Sequence, residues 1–166
     1  EVNCFFLAAV CFHLTGGIVE SIHIDEQWQE PHYFGAAKIV CCQPVVVYAA
    51  RYLEIPEELP ISLVAHESNW NPKVTGLAGE IGLMQIKCRT AKEFGFKGDC
   101  KALYDPEQNI FYGMTYLKMA WDKCNGDGDC ALSLYNKGLR GRVDRKAKYV
   151  QDVRKKAAGL ALWATK

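Results

Sequence analysis

Apolar residues recur at helical spacing through most of the chain. The string VVVYAARYLE (45–54) reads as a helix that Gln43-Pro44 opens and that stops before Pro56. IPEELPISLVAHE (55–67) reads as a second helix, with Pro56 and Glu57 suited to its first turn. NPKVTGLAGEIG (71–82) breaks the rhythm, and its Gly and Asn content predicts an irregular turn or short hairpin. TAKEFGF (90–96) is a brief helix. In YDPEQNIFYGMTYLKMAWDKC (104–124), Asp105 suits the N-cap and Pro106 the first position, and Ile110, Met114 and Leu117 form an apolar stripe. CALSLYNKG (130–138) ends at Gly138, and KYVQDVRKKAAGLALW (148–163) is amphipathic. The pattern predicts a mainly α fold (α+β in detail) with one small β-hairpin.

At 166 residues, 49% of them hydrophobic and 23% charged, the chain has room for one domain with a real core. A net charge of +1 conceals an asymmetry. Residues 1–42 hold Glu1, Glu20, Asp25, Glu26 and Glu30 against Lys38. Residues 137–166 hold ten bases against Asp144 and Asp152. The basic end suits either an anionic partner (cell-wall polymer, phospholipid or nucleic acid) or simply a solvated helix face. CFFLAAVCFHL (4–14) is apolar but too short to span a bilayer and lacks the basic flank of a signal peptide. It reads as a buried or interfacial helix, part of a larger or processed chain. Residues 1–42 are therefore set apart as an extension, a possible docking segment, from a domain at 43–166.

The eight cysteines include no CxxC pair, which argues against a zinc ribbon. Cys124 and Cys130 bracket the turn NGDGD, and Cys88 and Cys100 bracket another short segment. Two local disulfides in an oxidising compartment are one reading, and small buried hydrophobes the other. NGDGD offers oxygens to a cation, but Cys130 stands where a calcium loop needs Gly. His13, His23 and His32 with Cys41 and Cys42 make a weak metal set. No metal and no cofactor are expected.

Candidate chemistry centres on Glu67. It ends the apolar run Ile61–Ala65, with Leu63, Val64 and Trp70 available as shielding. Burial disfavours the charged form of a carboxylic acid, so such a group can hold a proton at neutral pH for a poor leaving oxygen. By itself a Glu after a helix says little. The sequence ES-x-W-NP is followed in order by GEIGLMQI (79–86), DPEQNIFYG (105–113) and ALSLYNKG (131–138). Those four motifs resemble the catalytic domain of soluble lytic murein transglycosylases, in the goose-type lysozyme-like superfamily, from about Val45 to the last helix.

The resemblance implies a lysozyme-like fold whose hairpin lines a cleft, and a peptidoglycan substrate with no nucleic acid as partner. It makes Glu67 the single catalytic acid/base and Ser68 the hydroxyl that orients it. It makes Gly82–Gln85 a cleft-lining strand in which Met84 and Gln85 meet substrate, Gln85 by bonding a sugar. Tyr135 and Asn136 match a pair facing the scissile linkage, and Tyr149 a Tyr near the C-terminal helix. Where many members carry a Ser near the substrate's acetamido group, an ungapped reading puts Gly76, with Thr75 as a substitute. Lys87 and Cys88 replace the usual residues at the cleft edge, and Lys137 follows the YN pair, a cation for a peptide or lactyl carboxylate.

Each residue also has a plainer reading. Leu83 and Met84 can be core, Tyr135 a core aromatic with a satisfied hydroxyl, and His66 a structural neighbour. Asn109 and Tyr116 are expected to satisfy and pack a helix pair. Glu80 is the local candidate for a second carboxylate. Without one, the expected chemistry is a lytic cleavage of the MurNAc–GlcNAc bond that leaves a 1,6-anhydro sugar. The alternatives are a hydrolytic muramidase and a largely structural peptidoglycan-binding component of a phage particle. The place of action is correspondingly the periplasm and cell envelope, or a virion acting on the wall.

Overall fold

In a computed structural model, residues 37–164 are described, with side chains from 42 to 159. The element order is α1 (Ala37–Tyr52), α2 (Glu58–Glu67), β1 (Glu80–Ile81), β2 (Ile86–Lys87), α3 (Cys88–Glu93), a 3-10 turn (Cys100–Tyr104), α4 (Pro106–Lys123), α5 (Gly128–Lys137) and α6 (Lys148–Ala164). The two strands form one antiparallel hairpin, Glu80 opposite Lys87 and Ile81 opposite Ile86. An isolated bridge ties Thr75 to Ile81. The fold is the expected one: mainly helical with a small hairpin. The apolar segment 4–14, the histidines His13, His23 and His32, and nearly all of the acidic extension lie outside the described residues.

α2 is the central element. Leu59, Pro60, Ser62, Leu63, Val64 and Ala65 are all buried, because α1 and above all α6 pack on it. α1 meets it with Cys42, Val46 and Ala50, spaced four apart so that they share one face. α1 begins earlier than Val45 and carries Pro44 in its interior. Proline there removes one backbone hydrogen bond, but the Cys42–Val46–Ala50 stripe runs across it and keeps the helix packed.

The capping signal at Asp105 works as the sequence suggests, and the structure adds a second at Asp127. Asp105 accepts from Gln108 N at 3.1 Å and starts α4 with Pro106 in the first turn. Asp127 accepts from Cys130 N at 3.0 Å and starts α5. Two disulfides, Cys88–Cys100 and Cys124–Cys130, close the segments they bracket, so the staple reading holds over the thiol reading. A second small core of Ile81, Ile86, Ala91, Phe96 and Leu103 lies under the hairpin. Much of the basic C-terminal charge is spent locally: Arg145 pairs with Asp127, Arg154 with Asp129, and Lys148 and Lys155 with Asp152.

Candidate active site

Glu67 is the last residue of α2. The helix cannot continue because Asn69 and Trp70 take left-handed backbone angles, φ +49° and +61°. For a bulky residue such as Trp70 this is a costly conformation, held in place by burial of its ring at 2% exposure. The turn leaves the Glu67 carboxyl half-buried at the end of an apolar helix. Across from it, α6 supplies Tyr149, whose hydroxyl donates to Glu67 Oε1. His66 meets the Tyr149 ring edge-on, centroids 5.0 Å apart, and burial holds its basicity below the usual value. It is a packing neighbour of the tyrosine.

Burial raises the pKa of Glu67 from 4.5 to about 7, the Tyr149 hydrogen bond opposes the rise, and the charge of Glu80 adds to it. Desolvation is the dominant cause. A carboxyl poised near neutrality can give a proton in one step and take one back in the next. Tyr149 itself is driven well above its ordinary pKa, first by burial and then by the carboxyl beside it, so it remains a donor.

The hairpin departs from expectation. Gly82–Gln85 is not strand but the loop joining β1 to β2. Gly82 (φ +74°) and Gln85 (φ +48°) are both left-handed, which no continuing strand permits. A side chain on Gly82 would also strike Asn109, with a Cβ only 2.4 Å from its Nδ2. Asn109, wholly buried on α4, is the loop's anchor. Its Oδ1 accepts from Met84 N at 2.8 Å, and its Nδ2 donates to Ile81 O at 2.7 Å and Leu103 O at 2.8 Å. Tyr135 on α5 completes the clamp by donating to Met84 O at 2.7 Å.

These bonds change several of the expected roles. The Met84 side chain is fully buried against α4 at Gly113, which is the core arrangement. Only its backbone serves the site. Tyr135 is buried with its hydroxyl satisfied and its ring edge-on to Tyr116, which is the core-aromatic arrangement. Ser68 donates to Val64 O at 3.2 Å and caps the helix instead of bonding Glu67. Gln85 uses both amide protons inside the loop, on Val74 O at 3.2 Å and Gly82 O at 2.9 Å, so towards a sugar it presents only an acceptor. Thr75 is exposed and shares a hydrogen bond with Tyr104. Asn136 is exposed at the end of α5.

The cations are partnered as well. Lys87 lies 3.3 Å from Glu80, and Lys137 lies 3.5 Å from Asp144. Glu80 is kept ionised by hydrogen bonds from its own backbone N–H and from Ala78 and by Lys87. Among the described residues, no three His, Cys, Asp or Glu side chains converge as metal ligands.

With this geometry in view, residues 45–158 match the family described as the transglycosylase SLT domain. The chain belongs to the transglycosylase SLT family. The soluble lytic murein transglycosylase of Escherichia coli K12 is 38% identical over 96 residues, which is 54% of this chain and 15% of that protein. The transglycosylase of Enterobacteria phage PRD1 is 36% identical over 90 residues, 54% of this chain and 32% of its own length. The chain thus spans less than a third of either relative. A 70-kDa soluble lytic transglycosylase in complex with bulgecin A superposes with a TM-score of 0.55 at 28% identity, over 74% of this chain and 19% of that one. An inactive mutant of lytic transglycosylase Slt from Pseudomonas aeruginosa shares the fold (TM-score 0.61, 23% identity, 72% of this chain and 24% of that one).

Within the SLT domain, the structure brings Glu67 and Tyr149 into contact across 82 residues of sequence. It hides Met84 and Tyr135 behind the hairpin. Asn109 as the three-bond anchor of the loop escaped the sequence reading in its detail. The DPEQN motif was its only signal.

Proposed function

We propose that the chain is a peptidoglycan-cleaving lytic transglycosylase that breaks the MurNAc-β-1,4-GlcNAc bond and forms 1,6-anhydroMurNAc. One observation carries this reading: a half-buried Glu67 with its pKa raised to about 7, held by a tyrosine hydroxyl. Glu67 gives its proton to the departing O4 as the C1–O4 bond breaks, while the acetamido oxygen of the same MurNAc closes on C1. The Glu67 carboxylate then takes the proton of the 6-hydroxyl, and O6 displaces the acetamido oxygen from C1. The acid is thereby restored. The 6-hydroxyl belongs to the reacting ring, and intramolecular delivery is worth up to about 7–11 kcal/mol when aligned. Tyr149 fixes the carboxyl through both steps. Gln85 meets the sugar as an acceptor, and Asn136 and Thr75 reach substrate from exposed positions. Ser68 and Tyr135 support the site from behind.

The substrate places the protein at the wall, in the periplasm and cell envelope or in a phage particle acting on it. A phage relative named transglycosylase and relatives named membrane-bound lytic murein transglycosylase C support that range. No helix among the described residues is long and apolar enough to cross a membrane. Segment 1–42 is proposed to dock the domain into a larger assembly.

The test is digestion of purified peptidoglycan with mass analysis of the muropeptides. Products one water lighter than muramidase products, and resistant to borohydride, are expected. Reducing ends point instead to hydrolysis with Glu80 as second carboxylate. Retention of even a tenth of the activity in Glu67→Gln removes Glu67 from its role.

A further inference from the structure

His66 and Glu67 close α2 side by side, and both reach Tyr149 on α6. Glu67 Oε1 accepts from the Tyr149 hydroxyl, while the His66 ring stands edge-on to the phenol, centroids 5.0 Å apart and planes at 89°. The two contacts constrain different things. A hydrogen bond fixes the hydroxyl oxygen but lets the ring swing about it, whereas a perpendicular ring contact sets the plane of the phenol. Val150 and Val153 are buried and anchor the α6 backbone in the core. Tyr149, however, is only the second residue of that helix, entered from the irregular stretch 138–147. Its side chain needs support beyond its backbone, and among the described residues His66 is the aromatic ring that meets it.

An imidazole suits that place because it carries no charge there at neutral pH. Burial lowers its basicity, Asp152 opposes the fall, and Lys156 and Lys148 add to it, all three charges standing on α6. Asp152 is itself taken up by Lys148 and Lys155. Glu67 and Tyr149 are the other titrating groups beside the ring. A cation at position 66 would favour the Glu67 carboxylate and strip the acid of its proton. A neutral ring supports the tyrosine without that effect. We propose that His66 is a positioning residue for glycan cleavage, acting through Tyr149: its ring holds the phenol in the orientation that keeps the hydroxyl on Glu67. The inference rests on the glycan-cleaving reading and adds to it a residue that works without touching the reacting atoms.

The experiment joins the kinetics of muropeptide release to an NMR titration of the Glu67 carboxyl carbon in the full chain. The variants are His66→Ala, His66→Phe, Tyr149→Phe and the double variant His66→Ala with Tyr149→Phe. A perpendicular ring pair is worth up to about tenfold in the population of the held orientation, so His66→Ala should lower kcat about three- to tenfold with KM within about twofold. The same variant should raise the Glu67 titration midpoint by about half a unit, since a loosened hydroxyl no longer favours the carboxylate. His66→Phe keeps a ring against the phenol and should restore both values. In Tyr149→Phe the hydroxyl is already gone, so adding His66→Ala should leave the midpoint where Tyr149→Phe puts it. If His66→Ala melts lower but keeps its midpoint and kcat, His66 is a packing residue only and the proposal is overturned. It is equally overturned if the two midpoint shifts add in the double variant. The titration is read without turnover, so the two readings fail separately. A chain with the expected midpoints that releases no muropeptides loses the transglycosylase reading. An active chain whose midpoint ignores His66→Ala loses the positioning role alone.

Discussion

Replacing Glu67 with Gln should make the protein more stable at alkaline pH even as it destroys the reaction. Burial lifts the Glu67 pKa from 4.5 to about 7 in the folded chain. Between those values the folded state keeps a proton that the unfolded chain has released. Stability is therefore fully present below about pH 4.5, falls as pH rises to about 7, and stays low above it. Each pKa unit corresponds to about 1.36 kcal/mol, so the carboxyl destabilises the fold by about 3 kcal/mol at pH 8. Gln has the same shape, still accepts from Tyr149, and carries no charge to desolvate. For a protein of this size, about 3 kcal/mol is worth roughly 6–12 °C in melting temperature. The assay is calorimetric melting of wild type and Glu67→Gln at pH 4, 6 and 8. The curves should meet at pH 4 and separate upwards, with the variant higher. All other titrating groups are common to both proteins and cancel in the difference. Parallel curves across the range would falsify the buried, proton-holding carboxyl, and with it the acid of the proposed mechanism.

Tyr149→Phe removes the hydrogen bond that holds the Glu67 pKa down, so the alkaline limb of the kcat/KM profile should move to higher pH by about one unit, and an unmoved limb rules out that contact. Asn109→Ala strands Met84 N, Ile81 O and Leu103 O together; a loss of about 3–5 kcal/mol in denaturant unfolding is expected, together with lost turnover, and a fully stable variant would show the loop is held some other way. Reducing Cys88–Cys100, or replacing both residues with Ser, should cost about 2–3 kcal/mol by freeing the segment under the hairpin; alkylation of both thiols in the native, unreduced protein would deny the bridge.

Local chemistry was legible because it is written in neighbouring residues. The cap at Asp105, the stripe Ile110–Met114–Leu117 and the hairpin after Asn71 depend on contacts only a few positions apart. The disulfides Cys88–Cys100 and Cys124–Cys130 close short loops, and the sequence could frame them as one of two readings. Glu67 was visible as a carboxyl at the end of an apolar run. The shielding expected from Leu63, Val64 and Trp70 already pointed to a raised pKa, which burial delivers; the contact with Tyr149 was not visible, because that residue arrives from 82 residues away. Gly82–Gln85 was expected as strand only through the family resemblance. The left-handed angles at Gly82 and Gln85 exist only because Asn109 and Tyr135 seize both backbone ends of Met84. The same seizure turns Met84 inward and spends the Tyr135 hydroxyl, so two residues expected at the substrate face support it from behind. Residue types and their order along the chain determined which groups were available; three-dimensional hydrogen bonding and burial decided which way each one points and what charge it carries.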